Sequence, residues 1–172
     1  QNGARTASPT PAPSLNAARG GAAHVTAVDV SDFAVACARE NAARNGLESV
    51  VDCVAANVFD LLPRLQKGQY DFIILDPPAF TKSRQTTRRA MAGYKEINYR
   101  AMRLLPRGGY LATCSCSHFA TEELFRKMLH DAAHDAGVQL RQIEARQQAA
   151  DHPILWGVEE TSYLKFYLFQ VV

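Results

Sequence analysis

The sequence predicts an α/β protein: a mostly parallel, doubly wound sheet ending in an antiparallel C-terminal hairpin. Three observations carry this. Strand-length apolar runs alternate with helix-like segments from His24 to Ala136, the order that builds a parallel sheet with helices on its faces. The run Tyr70 to Leu75 is apolar almost throughout, as in a central strand covered on both sides. Val138–Arg146 and Ser162–Val171 then follow with no helix-length segment between them, so they pair antiparallel around a long loop.

Each element has a local reason. Gln1 to about Ser14 is rich in Pro, Ala, Ser and Thr, so residues 1–13 are expected to be disordered or aberrant, and residues 14–172 to form one domain. Ser14 starts a short helix that Gly20-Gly21 stops. His24–Val30 is a strand ending near Asp29. Ser31 or Asp32 caps a helix carrying Phe33, Val35, Cys37, Ala38 and Ala42, which closes at Asn45-Gly46. Val50–Ala56 is a strand and Phe59–Leu65 a short helix. Pro77 and Pro78 terminate the strand after Asp76, since neither can donate a ladder hydrogen bond.

Thr81–Arg89 is polar and aperiodic, and Gly93–Leu105 is a helix burying Tyr94, Ile97, Ala101, Leu104 and Leu105. Pro106–Gly109 is a turn into the strand Tyr110–Cys114. That strand runs into Thr113-Cys114-Ser115-Cys116-Ser117-His118. Thr121–Ala136 is a helix with Leu124, Phe125, Met128 and Leu129 inward, ended by Gly137.

Composition narrows the function. At 172 residues and 47% hydrophobic content the chain can bury one core. No apolar run nears the roughly 18 residues of a membrane span, so no membrane partner is expected. Four cysteines without paired zinc spacing predict no metal site and reduced thiols, hence a cytoplasmic protein. The net charge of +2 leaves the whole-chain field neutral toward nucleic acid.

In open α/β sheets chemistry gathers at the carboxyl ends of the strands, and four ends here carry polar groups. Asp29 could accept hydrogen bonds from a ribose diol, or serve the next helix as a cap partner. Asn57 could take an adenine amino group while Val58 or Phe59 packs on the ring; it also suits a simple turn. Asp76, Pro77, Pro78 and Phe80 form a stiff turn with a carboxylate for a ring nitrogen or exocyclic amine. Its aromatic ring could stack on a flipped base. Cys114 and Cys116 end the fourth strand, where a thiol is either inert packing or a nucleophile. Lys82, Arg84, Arg88 and Arg89 suit phosphate contacts or a solvated loop.

Val25-Thr-Ala-Val-Asp29, Asp76-Pro-Pro-Ala-Phe80, Gly93-Tyr-Lys-Glu-Ile-Asn98 and Thr113-Cys-Ser-Cys-Ser-His118 occur in that order over residues 14–172. As a set they resemble the class I S-adenosylmethionine-dependent methyltransferases, of Rossmann-like fold, that make 5-methylcytosine in bacterial large-subunit ribosomal RNA. The resemblance implies S-adenosylmethionine held by Asp29, Val30, Asn57, Val58 and Asp76. It implies ribosomal RNA as partner, with Pro77, Pro78, Phe80, Lys82 and Arg84 on the substrate. It also implies a cysteine that adds to carbon 6 of cytosine, with Asp76 on the ring near nitrogen 3. The letters Thr-Cys-Ser favour Cys114, whereas the register from Gly109 favours Cys116; Cys116 is the expected nucleophile.

Other acceptors remain compatible with these residues, a base amino group above all. So does a fragment with impaired cofactor binding. A dinucleotide-dependent oxidoreductase is disfavoured, because the sequence has no Gly-x-Gly-x-x-Gly fingerprint. Members of the group carry a PUA domain and a linking domain ahead of the catalytic one, to which these residues correspond. The family's first strand and Gly-rich loop have no counterpart before Ser14. A back-translation of Thr6–Ser14 read in another frame gives Cys-Phe-Ala-Tyr-Thr-Gly-Ala-Phe, which is what the family loop looks like, so a frameshift or sequence error is expected there. A strand missing from the sheet would expose an edge, and a homodimer is the expected consequence.

Overall fold

The computed structural model describes residues 12–80 and 84–172; of Ala12 and Arg84 it gives the backbone alone. The expectations for residues 1–11, for Thr81 and for Lys82 lie outside the described residues. The chain divides into two compact units, Gln1–Leu61 and Leu62–Val172.

In the first unit, α1 (Ala12–Arg19), β1 (Val25–Asp29), α2 (Asp32–Arg44), β2 (Val51–Ala55) and α3 (Val58–Leu61) follow in order. β1 and β2 pair in parallel from Val25↔Val51 to Asp29↔Ala55. Ser31 caps α2 by accepting from the Ala34 amide, and the chain leaves the helix through Asn45 and a left-handed Gly46. Val35, Ala38 and Ala42 of α2 pack with Val51 and Cys53 of β2. Phe33, expected inward, is 72% exposed because it lies two residues before Val35, about 200° around the helix from that stripe.

In the second unit, β3 (Phe72–Leu75), α4 (Thr87–Leu104), β4 (Tyr110–Ser115), α5 (Glu122–Ala136), β5 (Leu140–Arg146) and β6 (Lys165–Val171) build a sheet of order β3-β4-β6-β5. β3 and β4 are parallel, whereas β4–β6 and β6–β5 are antiparallel. The C-terminal hairpin is therefore as its loop length required. α4 starts six residues before the expected Gly93, because Arg84–Thr86 forms a tight helical turn leading into it. Leu124 is 40% exposed, off the inward stripe of Phe125, Met128 and Leu129. β3 stands at the edge of this sheet among the described residues, and Phe72 and Ile74 are correspondingly exposed.

The core of the second unit is an aromatic line. Tyr94 meets Phe125 edge-on at 5.7 Å, Phe125 meets Tyr167 at 6.2 Å, and Tyr167 stacks on Phe169 at 5.7 Å. Gly109 is required where β4 begins: a Cβ there would sit 3.0 Å from the Pro106 carbonyl and 3.1 Å from that of Asp71. The close approach lets Tyr110 donate to the Asp71 carbonyl and start the β3–β4 ladder.

Leu111 is fully buried in β4, and Leu155 is 58% exposed. Chemical denaturation should show Leu111→Ala costing about 3 kcal/mol and Leu155→Ala within about 0.5 kcal/mol of the parent.

Candidate functional site

The parallel register Leu75↔Thr113 makes Asp76 and Cys114 neighbours, each one residue past a paired position. The Cys114 thiol donates to Asp76 Oδ1 at 3.1 Å and lies 3.4 Å from the Leu75 carbonyl. Burial, with the Asp76 carboxylate beside it, pushes the Cys114 thiol well above its ordinary range. Cys114 is therefore a protonated donor that holds Asp76, while the carboxylate itself stays exposed.

β4 runs one residue past its expected end, because Ser115 pairs with Lys165 of β6. Cys116 is then the first residue beyond the ladder, and it is partly exposed. The structure thus separates two thiols that share one motif: Cys114 faces the carboxylate from within the sheet, and Cys116 opens past its end. All four cysteines are free thiols.

A second connection ties the same two strand ends. Ser115 Oγ donates to Tyr94 Oη at 3.0 Å, and the Phe80 backbone hydrogen-bonds the same hydroxyl. The Phe80 ring lies 4.6 Å from that of Tyr94, tilted by 50°. Tyr94 and Ser115 are fully buried, so α4 clamps the turn Asp76–Phe80 to the end of β4. Pro77 is half-buried and Pro78 exposed, which keeps this turn at the surface. The Gly93–Asn98 motif suggested Tyr94 only as core; its hydroxyl was the overlooked signal. Arg84 keeps its backbone in the turn before α4, and the expected phosphate contact of its side chain lies outside the described residues, as does that of Lys82.

In the first unit, Asp29 is the last residue of β1 and Asn57 lies two residues past the end of β2. Asp29 Oδ1 accepts from the Ser31 amide at 2.8 Å, and Asn57 Oδ1 accepts from the Phe59 amide at 3.0 Å. Asp29 remains exposed beside Val30, which is 76% exposed, and Phe59 is 40% exposed. An exposed acid, an amide and bare apolar side chains on one sheet edge fit the adenosine half of S-adenosylmethionine, whose ribose needs acceptors and whose base needs an apolar face.

Among the described residues no group of three or more His, Cys, Asp or Glu is placed to hold a metal ion. No described helix is long and apolar enough to cross a membrane.

A family model described as "Methyltransferase small domain" matches residues 14–139. The chain is 42% identical over 161 residues to "Ribosomal RNA large subunit methyltransferase I" of Klebsiella pneumoniae (strain 342), covering 92% of this chain and 40% of the relative. It is 45% identical over 154 residues to the protein of the same name from Shewanella denitrificans, covering 88% and 39%. The chain thus spans about two-fifths of the length of the curated relatives it matches. Among solved structures, a SAM-dependent methyltransferase from Streptococcus mutans superposes with a TM-score of 0.77 at 24% identity, over 92% of this chain and 41% of that one. The methyltransferase SMU.776, solved complexed with SAH, superposes with the same TM-score of 0.77 at 23% identity, over 92% and 42%. These superpositions show a Rossmann-like methyltransferase fold.

Brief iodoacetamide treatment of the folded chain, read by peptide mass spectrometry, should label Cys116 at least about tenfold faster than Cys114 or Cys53. Equal labelling of Cys114 would mean that its thiol is not held against Asp76.

Proposed function

Because the chain belongs to the methyltransferase small domain family, we propose that it transfers a methyl group from S-adenosylmethionine to large-subunit ribosomal RNA, at carbon 5 of a cytidine. The observation that carries this reading is the division of labour between the two thiols. Cys114 is buried and spends its proton on Asp76, whereas Cys116 stands partly exposed just beyond the ladder. A methyltransferase acting on an amino group has no use for an open thiol at the end of this strand. The relatives named as large-subunit ribosomal RNA methyltransferases support RNA as substrate, and the cytoplasm would be the place of work.

Asp29 would hold the ribose, Val30 and Val58 would flank the adenine, and Asn57 would meet its amino group. Asp76 would serve both the cofactor and the base. When bound, S-adenosylmethionine supplies an electrophilic methyl group. The chain's residues prepare the acceptor. Phe80, backed by Tyr94, stacks on the flipped cytosine, and Pro77 and Pro78 keep the turn stiff under it. The Cys116 thiolate adds to carbon 6, forming a sulfur–carbon bond and moving the ring double-bond electrons toward carbon 5. Asp76, fixed by the Cys114 donor, accepts from the amino group and, entering the step protonated, passes its proton to nitrogen 3, which neutralises the charge that the addition pushes onto the ring. After carbon 5 is methylated, its proton passes to a base, the sulfur–carbon bond breaks and the thiolate leaves. Lys82 and Arg84 would meet backbone phosphates.

Methyl incorporation into ribosomal RNA by single variants tests the assignment. Cys116→Ser should lose roughly 10³-fold or more in kcat. Cys114→Ser, whose hydroxyl can still donate to Asp76, should stay within about tenfold of the parent. Activity retained in Cys116→Ser would remove the thiol mechanism.

A further inference from the structure

Lys165 is a lysine in the inward register of β6, in phase with Tyr167, Phe169 and Val171, all buried. It is only 8% exposed. Its ammonium has no carboxylate within ion-pair distance among the described residues; instead Nζ donates to the Ser117 carbonyl at 2.6 Å and the Tyr163 carbonyl at 2.8 Å. Burying a cation against carbonyls alone is costly, and an apolar residue of similar volume would pack this register without that cost. What the lysine reaches explains its presence. It pairs with Ser115 across the ladder and bonds the carbonyl of Ser117, so Cys116 lies between its two points of attachment.

We infer that Lys165 is a positioning residue for the thiol chemistry: its head group closes the turn Ser115–Ser117 and sets a fixed positive charge beside Cys116. The inference rests on Cys116 being the nucleophile. Addition to carbon 6 needs sulfur as the anion, and departure of the thiolate regenerates that anion, so a cation held nearby favours both steps.

The charge is itself titratable. Burial lowers the Lys165 ammonium to about 8, opposed by the nearby Cys116 and Glu122. The groups facing it are Cys116 past the end of β4, Glu122 at the start of α5, and Tyr163 before β6. Glu122 itself accepts from the Tyr167 hydroxyl at 2.8 Å. A cavity of about 560 Å³ adjoins Lys165, and His118, Arg146 and Glu159 also line it. Below pH 8 the positive charge is present; above it the amine is neutral.

Iodoacetamide alkylation of Cys116 in the full 172-residue chain, followed by peptide mass spectrometry from pH 6 to 10, reads this directly and needs neither cofactor nor RNA. Lys165→Gln keeps a donor for the carbonyls and removes the charge; Lys165→Met removes both, and Lys165→Arg keeps the charge. Near pH 7 the Gln and Met variants should react about tenfold more slowly than the parent. The Arg variant should stay within about twofold of the parent at that pH. Above about pH 9 parent and Gln variant should converge to within about twofold, because the parent lysine is then neutral too. Should the Met variant fail to unfold cooperatively, the Gln variant decides. Equal rates for parent and folded Gln variant near pH 7, or a gap that persists unchanged at pH 10, would overturn the inference. Loss of the thiol mechanism in the Cys116→Ser assay would leave these alkylation rates untouched, so the two failures are separable.

Discussion

The β3–β4 register is the constraint on which the acceptor side of the site depends. With Leu75 opposite Thr113, the first residues past the pair, Asp76 and Cys114, meet across the sheet at 3.1 Å. A shift of one residue would reverse every side chain of β3 and turn Asp76 away from the thiol. Gly109 secures this register at the opposite end, because any side chain there would collide with the Pro106 and Asp71 carbonyls. A glycine in a turn and an acid at a strand end are thus parts of one device.

Polar groups buried around this ladder convert register into rigidity. The Tyr94 hydroxyl links Ser115 to the Phe80 turn, and Lys165 ties β6 to Ser117. Inside a protein such bonds are expensive to leave unmade, so each narrows the positions the two strand ends can adopt. Cys116 lies among three fixed points, Ser115, Ser117 and the Tyr94 hydroxyl, yet remains accessible. A nucleophile needs both conditions: a held backbone and an open sulfur.

Much of this was legible in the sequence, and what was not has a physical cause. Period and capping residues located β1, α2, α5 and the C-terminal hairpin, since Ser31, Gly137 and the long loop before β6 act locally. The start of α4 is not legible, because its first turn, Thr87–Arg89, is polar and carries no apolar stripe. The inward face of α2 was drawn one position too wide, since Phe33 resembles core by composition and lies on the solvent side by geometry. The site residues were visible as letters, but their roles depend on long-range contacts. Cys114 and Cys116 look alike until β6 pairs with Ser115 and closes the ladder between them. Lys165 did leave a signal, a lysine in the inward phase of an alternating strand, and Tyr94 hid a polar tip on an apolar stripe.

The central claim is that Cys116 bonds covalently to the base while Asp76, steadied by Cys114, holds the ring. Its most direct measurement uses ribosomal RNA containing 5-fluorocytidine, incubated with the chain and S-adenosylmethionine, denatured and digested. Fluorine in place of the carbon 5 proton blocks release of the thiol, so the account predicts a stable protein–RNA adduct whose cross-linked residue is Cys116. An adduct at Cys114, or methylated RNA with no adduct, would contradict it.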